Sequence, residues 1–280
     1  MHLIMLSSAL ILAFGVRCLW FDSSDRGVHR WQKVLGLFLF SPLLLLTTAI
    51  AILCMGPRGQ MVRWWEGLGS YILAIGFLSG ALIWVVKLAL EGRRSLQKIR
   101  TYPKTELCGE TAHVMPDSTP FVAQVGFWMP ELVISQGLLE TLDAEHLESV
   151  LVHEQGHTYY HDTFWFFWLG GLRRLTCWLP QTEALWQELL ILRELRADRW
   201  AAQTVDPLLL AEALLWVVSA PQIQPEGLCA SFSSAVVKNR LNERIDALLK
   251  PSEEGSSEGT RSWLWLLWVS LPLLAVPFHT

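Results

Sequence analysis

Apolar runs and polar stretches divide this chain into membrane-length segments flanking a mixed middle. Residues 34–55, VLGLFLFSPLLLLTTAIAILCM, hold no charge, and residues 68–90, LGSYILAIGFLSGALIWVVKLAL, hold one lysine. Both reach the roughly 20 apolar residues that cross a bilayer as a helix. Residues 3–20 and 262–278 are shorter but strongly apolar, so four transmembrane helices are expected. Arg17 falls near the end of the first, where its side chain can snorkel to the interface. That segment lacks a basic leader region and a small-residue cleavage site, so it reads as a retained anchor.

The middle of the chain changes period. Short β-branched and aromatic runs near 111–115, 120–127 and 131–135, punctuated by Gly126, Pro130 and Gly137, predict strands. Asp143 is an N-cap candidate with Glu145 in the first turn, and a helix is predicted over 144–168. Further helices are predicted over 182–203, from Asp206-Pro207 to 219, and across 234–250. The segment 164–179, FWFFWLGGLRRLTCWL, reads either as a helix half-sunk in the bilayer surface or as an ordinary buried helix end. The expected organisation is a three-helix membrane region over 1–90, a soluble domain over 91–250, a polar linker over 251–261 and a last span within 262–280.

Composition supports this. Hydrophobic residues make up 52% of the 280 and charged residues 17%, against about 25% charged in soluble domains. The 15 Trp residues suit membrane interfaces. A net charge of −4 without a basic run argues against a direct nucleic-acid partner. The five cysteines form no CxxC pair, and those in apolar runs are expected to be small buried hydrophobes. Arg93, Arg94, Lys98, Arg100 and Lys104 place residues 91–104 in the cytoplasm by the positive-inside rule, and the N-terminus outside.

The predicted helix contains LVHEQGHTYY, residues 151–160. His153 and His157 stand at i and i+4, on one helix face, where two imidazoles can reach one ion with Glu154 beside them. A catalytic zinc takes three protein ligands and keeps a position open for water, and His₂Glu is one such set. The following helix supplies Glu194 and Asp198 at i and i+4. Glu183 and Glu188 are alternative third ligands. His161 continues the histidine face, as a hydrogen-bond donor near the site, as an oxyanion stabiliser or as a plain polar residue at the membrane edge. Arg240 and Arg244 can stabilise an oxyanion, pin the last helix or form surface ion pairs. His2, His29, His113, His146 and His279 have no partner spacing.

These motifs together resemble the membrane-bound zinc peptidases of the BlaR/MecR β-lactam-sensor type, with kinship to the HtpX and CAAX prenyl protease type. The resemblance covers roughly 120–250 plus the spans. It is carried by VGFWMPELVISQGLLETLDAEHLESVLVHEQGHTYYHD with Asp162 five residues after the second histidine, by ELRADRWAA, and by RLNERIDALL. It implies a mainly α membrane protein with a cytoplasmic α+β zincin-like (gluzincin) domain holding a small sheet. It implies one Zn²⁺ per chain on His153, His157 and Glu194, and Asp198 hydrogen-bonding a ligand. Glu154 would be the general base that takes a proton from the attacking water and passes it to the leaving amine.

The expected activity is endopeptidase cleavage of a protein substrate at the cytoplasmic membrane face of a bacterial-type plasma membrane. Two tasks compete: cutting a transcriptional repressor, or clearing damaged membrane proteins. A non-catalytic receptor keeping the fold is a third reading, against which the intact metal set argues. The β-lactam sensors carry a penicillin-binding domain after the last span, whereas this sequence stops at Thr280, so β-lactam sensing by that route is not expected. Val122, Ala123, Gln124, Val125 and Gly126 form the candidate strand edge on which substrate adds as a further strand.

Overall fold

The computed structural model describes residues 2–18, 30–57, 64–219, 240–249 and 263–278. It is mostly helical with one small mixed sheet. Its contacts define two compact units: Met1–Val86 with Gly171–Leu189 and Gly255–Thr280, and Lys87–Gly170 with Leu190–Glu254.

The first unit holds the apolar helices. Among the described residues, two helices are long and apolar enough to cross a membrane: α2 (Arg30–Met55) and α3 (Trp64–Ile99), which continues into the second unit. The helix α1 (His2–Cys18) has 17 residues and falls at the lower limit for a span. Arg17 does not snorkel. It is fully buried, donating to the Ser41 hydroxyl (3.3 Å) and to the Phe38 carbonyl (3.0 Å), which Pro42, lacking an N–H, leaves without its helical partner. Residues 263–278 are not one continuous α-helix. They form a 3₁₀ stretch (Trp263–Ser270), a single α-turn and a final 3₁₀ turn, with Pro272 and Pro277 each removing a backbone donor. Cys18 and Cys54, expected to be buried, are exposed on their helices.

The second unit holds the sheet, in the order β1-β2-β4-β3. The strand β1 (Lys104–Leu107), which the sequence pattern did not reveal, pairs antiparallel with β2 (Glu110–Met115) through a tight turn. Cys108 and Gly109 take that turn with φ of 49° and 83°, the primed geometry that suits hairpin twist. Next, β3 (Val122–Val125) pairs antiparallel with β4 (Glu131–Ser135), and β4 pairs parallel with β2. Central position explains why four of the five β4 residues are buried. Ser135 caps α4 (Gln136–Thr141), and Asp143 caps α5 (Ala144–Tyr159) by accepting from the His146 backbone N–H.

The expected helix over 144–168 is two helices. Tyr160 and His161 break it, His161 with φ of 52°, and α6 (Asp162–Leu175) starts afresh. A left-handed residue is uncommon outside glycine and gives no compositional warning. Then follow α7 (Thr182–Ala201), α8 (Pro207–Ser219) and α9 (Leu241–Leu249); the start of the helix expected over 234–250 lies outside the described residues. The core under the sheet joins Ala112, Leu132, Ile134, Leu138, Val150 and Leu151 with Ala213 of α8. This core holds α5 against the strands, and so fixes the helix that carries both histidines.

Candidate metal centre

The capped helix α5 turns Val150 and Leu151 toward the core, and a neighbouring face carries His153, Glu154 and His157, all buried. Gly156, between the histidines, is where α7 comes close. A Cβ there would lie 3.3 Å from Ala197 Cα, so the small pair Gly156 and Ala197 lets the two backbones approach. That approach brings Glu194 and Asp198 of α7 to the histidines.

The imidazole and carboxylate ligand atoms of His153, His157 and Glu194 lie within 4.8 Å of one another, and all three residues are buried. Among the described residues this is the group able to hold a metal ion. Glu194 Oε2 is 3.5 Å from His153 Nε2, and Glu194 Oε1 is 3.6 Å from His157 Nε2. Ligands at ~2.1 Å from a tetrahedral zinc stand roughly 3.4 Å apart, the edge of the tetrahedron. The donor set and these two spacings suit a bound metal ion of that size.

Each of the other ring nitrogens lies beside a carboxylate. His157 Nδ1 pairs with Asp162 Oδ2 at 2.8 Å. His153 Nδ1 lies 2.9 Å from Asp198 Oδ1, close enough to pair though away from the ideal N–H direction. With a carboxylate beside each Nδ1, both Nε2 atoms face Glu194. The break after Tyr160 now has a structural role, since it is the turn at His161 that returns Asp162 to His157.

Three arginines hold these acids. Arg196 pairs with Asp162 and lies over the Tyr160 ring. Arg193 donates to Glu194 Oε1 from Nε (2.9 Å) and Nη2 (2.7 Å). Arg244 of α9 grips both oxygens of Asp198 at 2.7 Å and reaches Glu194 Oε2 at 3.2 Å. It is 3% exposed, so the surface ion pair considered from sequence is not what forms. Arg240 pairs with Glu243 instead.

Burial raises the cost of each carboxylate charge, but the arginines outweigh it. Glu194 is held well below the usual carboxylate range by Arg193, His157 and Arg244, and Asp198 is lowered by Arg244 and His153. Burial disfavours the His153 imidazolium, yet Asp198 and Glu194 lift it to about 9. An ion entering this site at neutral pH therefore displaces a proton.

Glu154 is 7% exposed, and no described residue hydrogen-bonds its carboxylate. The alternative third ligands lie elsewhere: Glu183 pairs with Arg173 and Glu188 with Arg30, in the other unit. His161 is exposed and stacks on Trp128. His113 lies 3.0 Å from Glu131, and His146 bridges Asp143 (2.7 Å) and Glu212 (3.2 Å); the Asp143–His146 pair stands at i, i+3, a spacing the sequence offered, whereas the other two contacts are non-local.

The candidate substrate strand is an edge. In the sheet β3 pairs with β4 alone, and it lies against α5. The Ser135 N–H donates to the Phe121 carbonyl at 2.8 Å, which sets the alternation of the antiparallel ladder. Phe121, Ala123 and Val125 therefore face β4, while Val122 and Gln124 turn N–H and C=O outward. Gly126 ends the strand with φ of 149°, and a Cβ there would meet the Met129 carbonyl at 2.9 Å. No family model matches this sequence, and no curated protein is significantly similar to it.

Proposed function

We propose that this chain is a membrane-anchored zinc endopeptidase. The observation that carries the reading is the buried His153, His157 and Glu194 cluster with Glu154 on the same helix. A strand edge beside a His-Glu-x-x-His helix supports a zincin-like domain. A bound zinc would polarise the scissile carbonyl and make a water easier to deprotonate. The residues do the rest. His153, His157 and Glu194 bind; Asp198 and Asp162 hold the imidazole tautomers; Glu154 takes a proton from the attacking water and hands it to the leaving amine. The detergent-purified chain should contain one zinc, and His157→Ala should lose it. A metal content that His157→Ala leaves unchanged would sink the site.

The reading places the peptidase unit in the cytoplasm and the N-terminus outside, supported by the five basic residues of 91–104. Cys108, exposed in the β1–β2 turn, is the natural probe. An impermeant maleimide should label it in inverted membrane vesicles and not in intact cells. Labelling from outside would reverse the topology.

Substrate adds to the outward edge of β3, through Val122 and Gln124. Main-chain pairing demands little of side-chain sequence, which suits cleavage of a repressor or of damaged membrane proteins. Gln124→Pro removes an outward donor and leaves the β3–β4 ladder its bonds. It should abolish cleavage with zinc still bound. A variant that keeps zinc and cleaves at the normal rate would place substrate elsewhere.

A further inference from the structure

The loop that follows β3 carries an apolar surface which the metal site does not use. Met129 is 81% exposed and Trp128 68% exposed, with Phe127 beside them. This loop packs on the start of α6. The Phe127 ring meets Phe164 at 5.0 Å and Phe167 at 4.8 Å, Trp128 meets Phe164 at 5.1 Å, and Thr163 donates to the Phe127 carbonyl. On α6, Asp162, Phe166 and Leu169 face inward while Trp165 and Trp168 face outward. Loop and helix thus form one continuous aromatic patch, and its one acid, Asp162, is buried. Monomeric soluble proteins rarely leave such a surface bare.

The chain itself indicates what covers it. The helix α3 is long and apolar enough to span a bilayer, and it runs on into the unit that carries the patch. The same α6 ends, within the membrane-helix unit, with Arg174 over the Trp84 ring of α3 at 5.4 Å, near the end of the α3 apolar run. On the same helix Trp168 stands six residues before Arg174 and Trp165 nine. Trp and Phe on one face of a short amphipathic helix are the chemistry of the headgroup boundary.

We infer that Phe127, Trp128, Met129, Trp165 and Trp168 form a bilayer-docking surface that seats the second unit on the lipid interface. Tethering raises the effective concentration of this contact, so modest apolar burial suffices to keep it engaged. The inference holds whatever chemistry the metal cluster performs.

Two single-cysteine forms of the full chain test it, one keeping only Cys108 and one carrying only Met129→Cys, each with an environment-sensitive fluorophore. Sheet order puts Cys108 at the opposite edge from β3, so it serves as the reference. In phosphatidylcholine vesicles at low protein-to-lipid ratio, nitroxide lipids should quench position 129 strongly and position 108 little. In the unsubstituted chain in the same vesicles, hydrogen peroxide should oxidise Met129 several-fold more slowly than in the urea-unfolded chain. Equal quenching at 108 and 129, or unprotected Met129, overturns the inference. Shielding that appears without nitroxide quenching and grows with protein-to-lipid ratio assigns the patch to a second copy instead, and also overturns it.

Discussion

Glu154→Gln should leave one zinc per chain and lower cleavage of a protein substrate by about 10²–10⁴-fold, the range a positioned general base contributes. The substitution is isosteric and removes the ability to accept a proton. The group able to hold a metal ion is His153, His157 and Glu194, so on this reading binding does not need the Glu154 charge. Glu154 is buried on the helix that carries both histidines, no described residue hydrogen-bonds its carboxylate, and its charge is felt by Arg244. Comparing protein termini in cells carrying the native chain and Glu154→Gln identifies the substrate in the same experiment. Native-rate cleavage by Glu154→Gln would remove Glu154 from the chemistry. Loss of zinc would make it a ligand.

The metal set was legible because helical periodicity is local. His153 and His157 need only α5 to be a helix, and Glu194 with Asp198 needs only α7. The Asp one turn beyond Glu194 favours it over Glu183 and Glu188, and the close approach of α7 at Gly156 is what brings it to the histidines. The edge position of β3 depends on strand order, and strand order depends on the parallel pairing of β2 with β4, a non-local contact. The break at His161 was invisible because no glycine or proline marks it. What forces it is tertiary: Asp162 accepts from His157 and pairs with Arg196, and an unbroken helix would carry that carboxylate past the imidazole. Arg244 had a signal that was available. Leu241, Ile245 and Leu248 form the apolar stripe of α9, and position 244 falls within it, three residues from Leu241 and four from Leu248. An arginine on a buried stripe needs a buried acid, and the unpaired candidates were on α7.

Arg244→Met should be the most destabilising of the single changes considered, lowering the melting temperature of the purified chain by roughly 10 °C. Arg244 and Asp198 are 3% and 1% exposed, joined by two 2.7 Å contacts in a fork that a carboxylate matches. Removing one partner of a buried pair costs about 3–5 kcal/mol, because the other charge stays buried without compensation. At roughly 2–4 °C per kcal/mol for chains a little smaller than this, that loss is a large shift. Methionine fills much of the arginine volume, so the effect reports the charge and not a cavity. Arg244→Lys keeps the charge but loses the fork, and should fall between. Adding Asp198→Asn to Arg244→Met should cost less than the sum of the two single changes, since the orphaned charge is then gone. Full additivity, or a melting temperature that Arg244→Met does not move, would mean the Asp198 charge is compensated elsewhere. Asp198 also lies against His153, so an orphaned Asp198 should swing from the imidazole and weaken zinc binding in Arg244→Met even at temperatures where the fold persists.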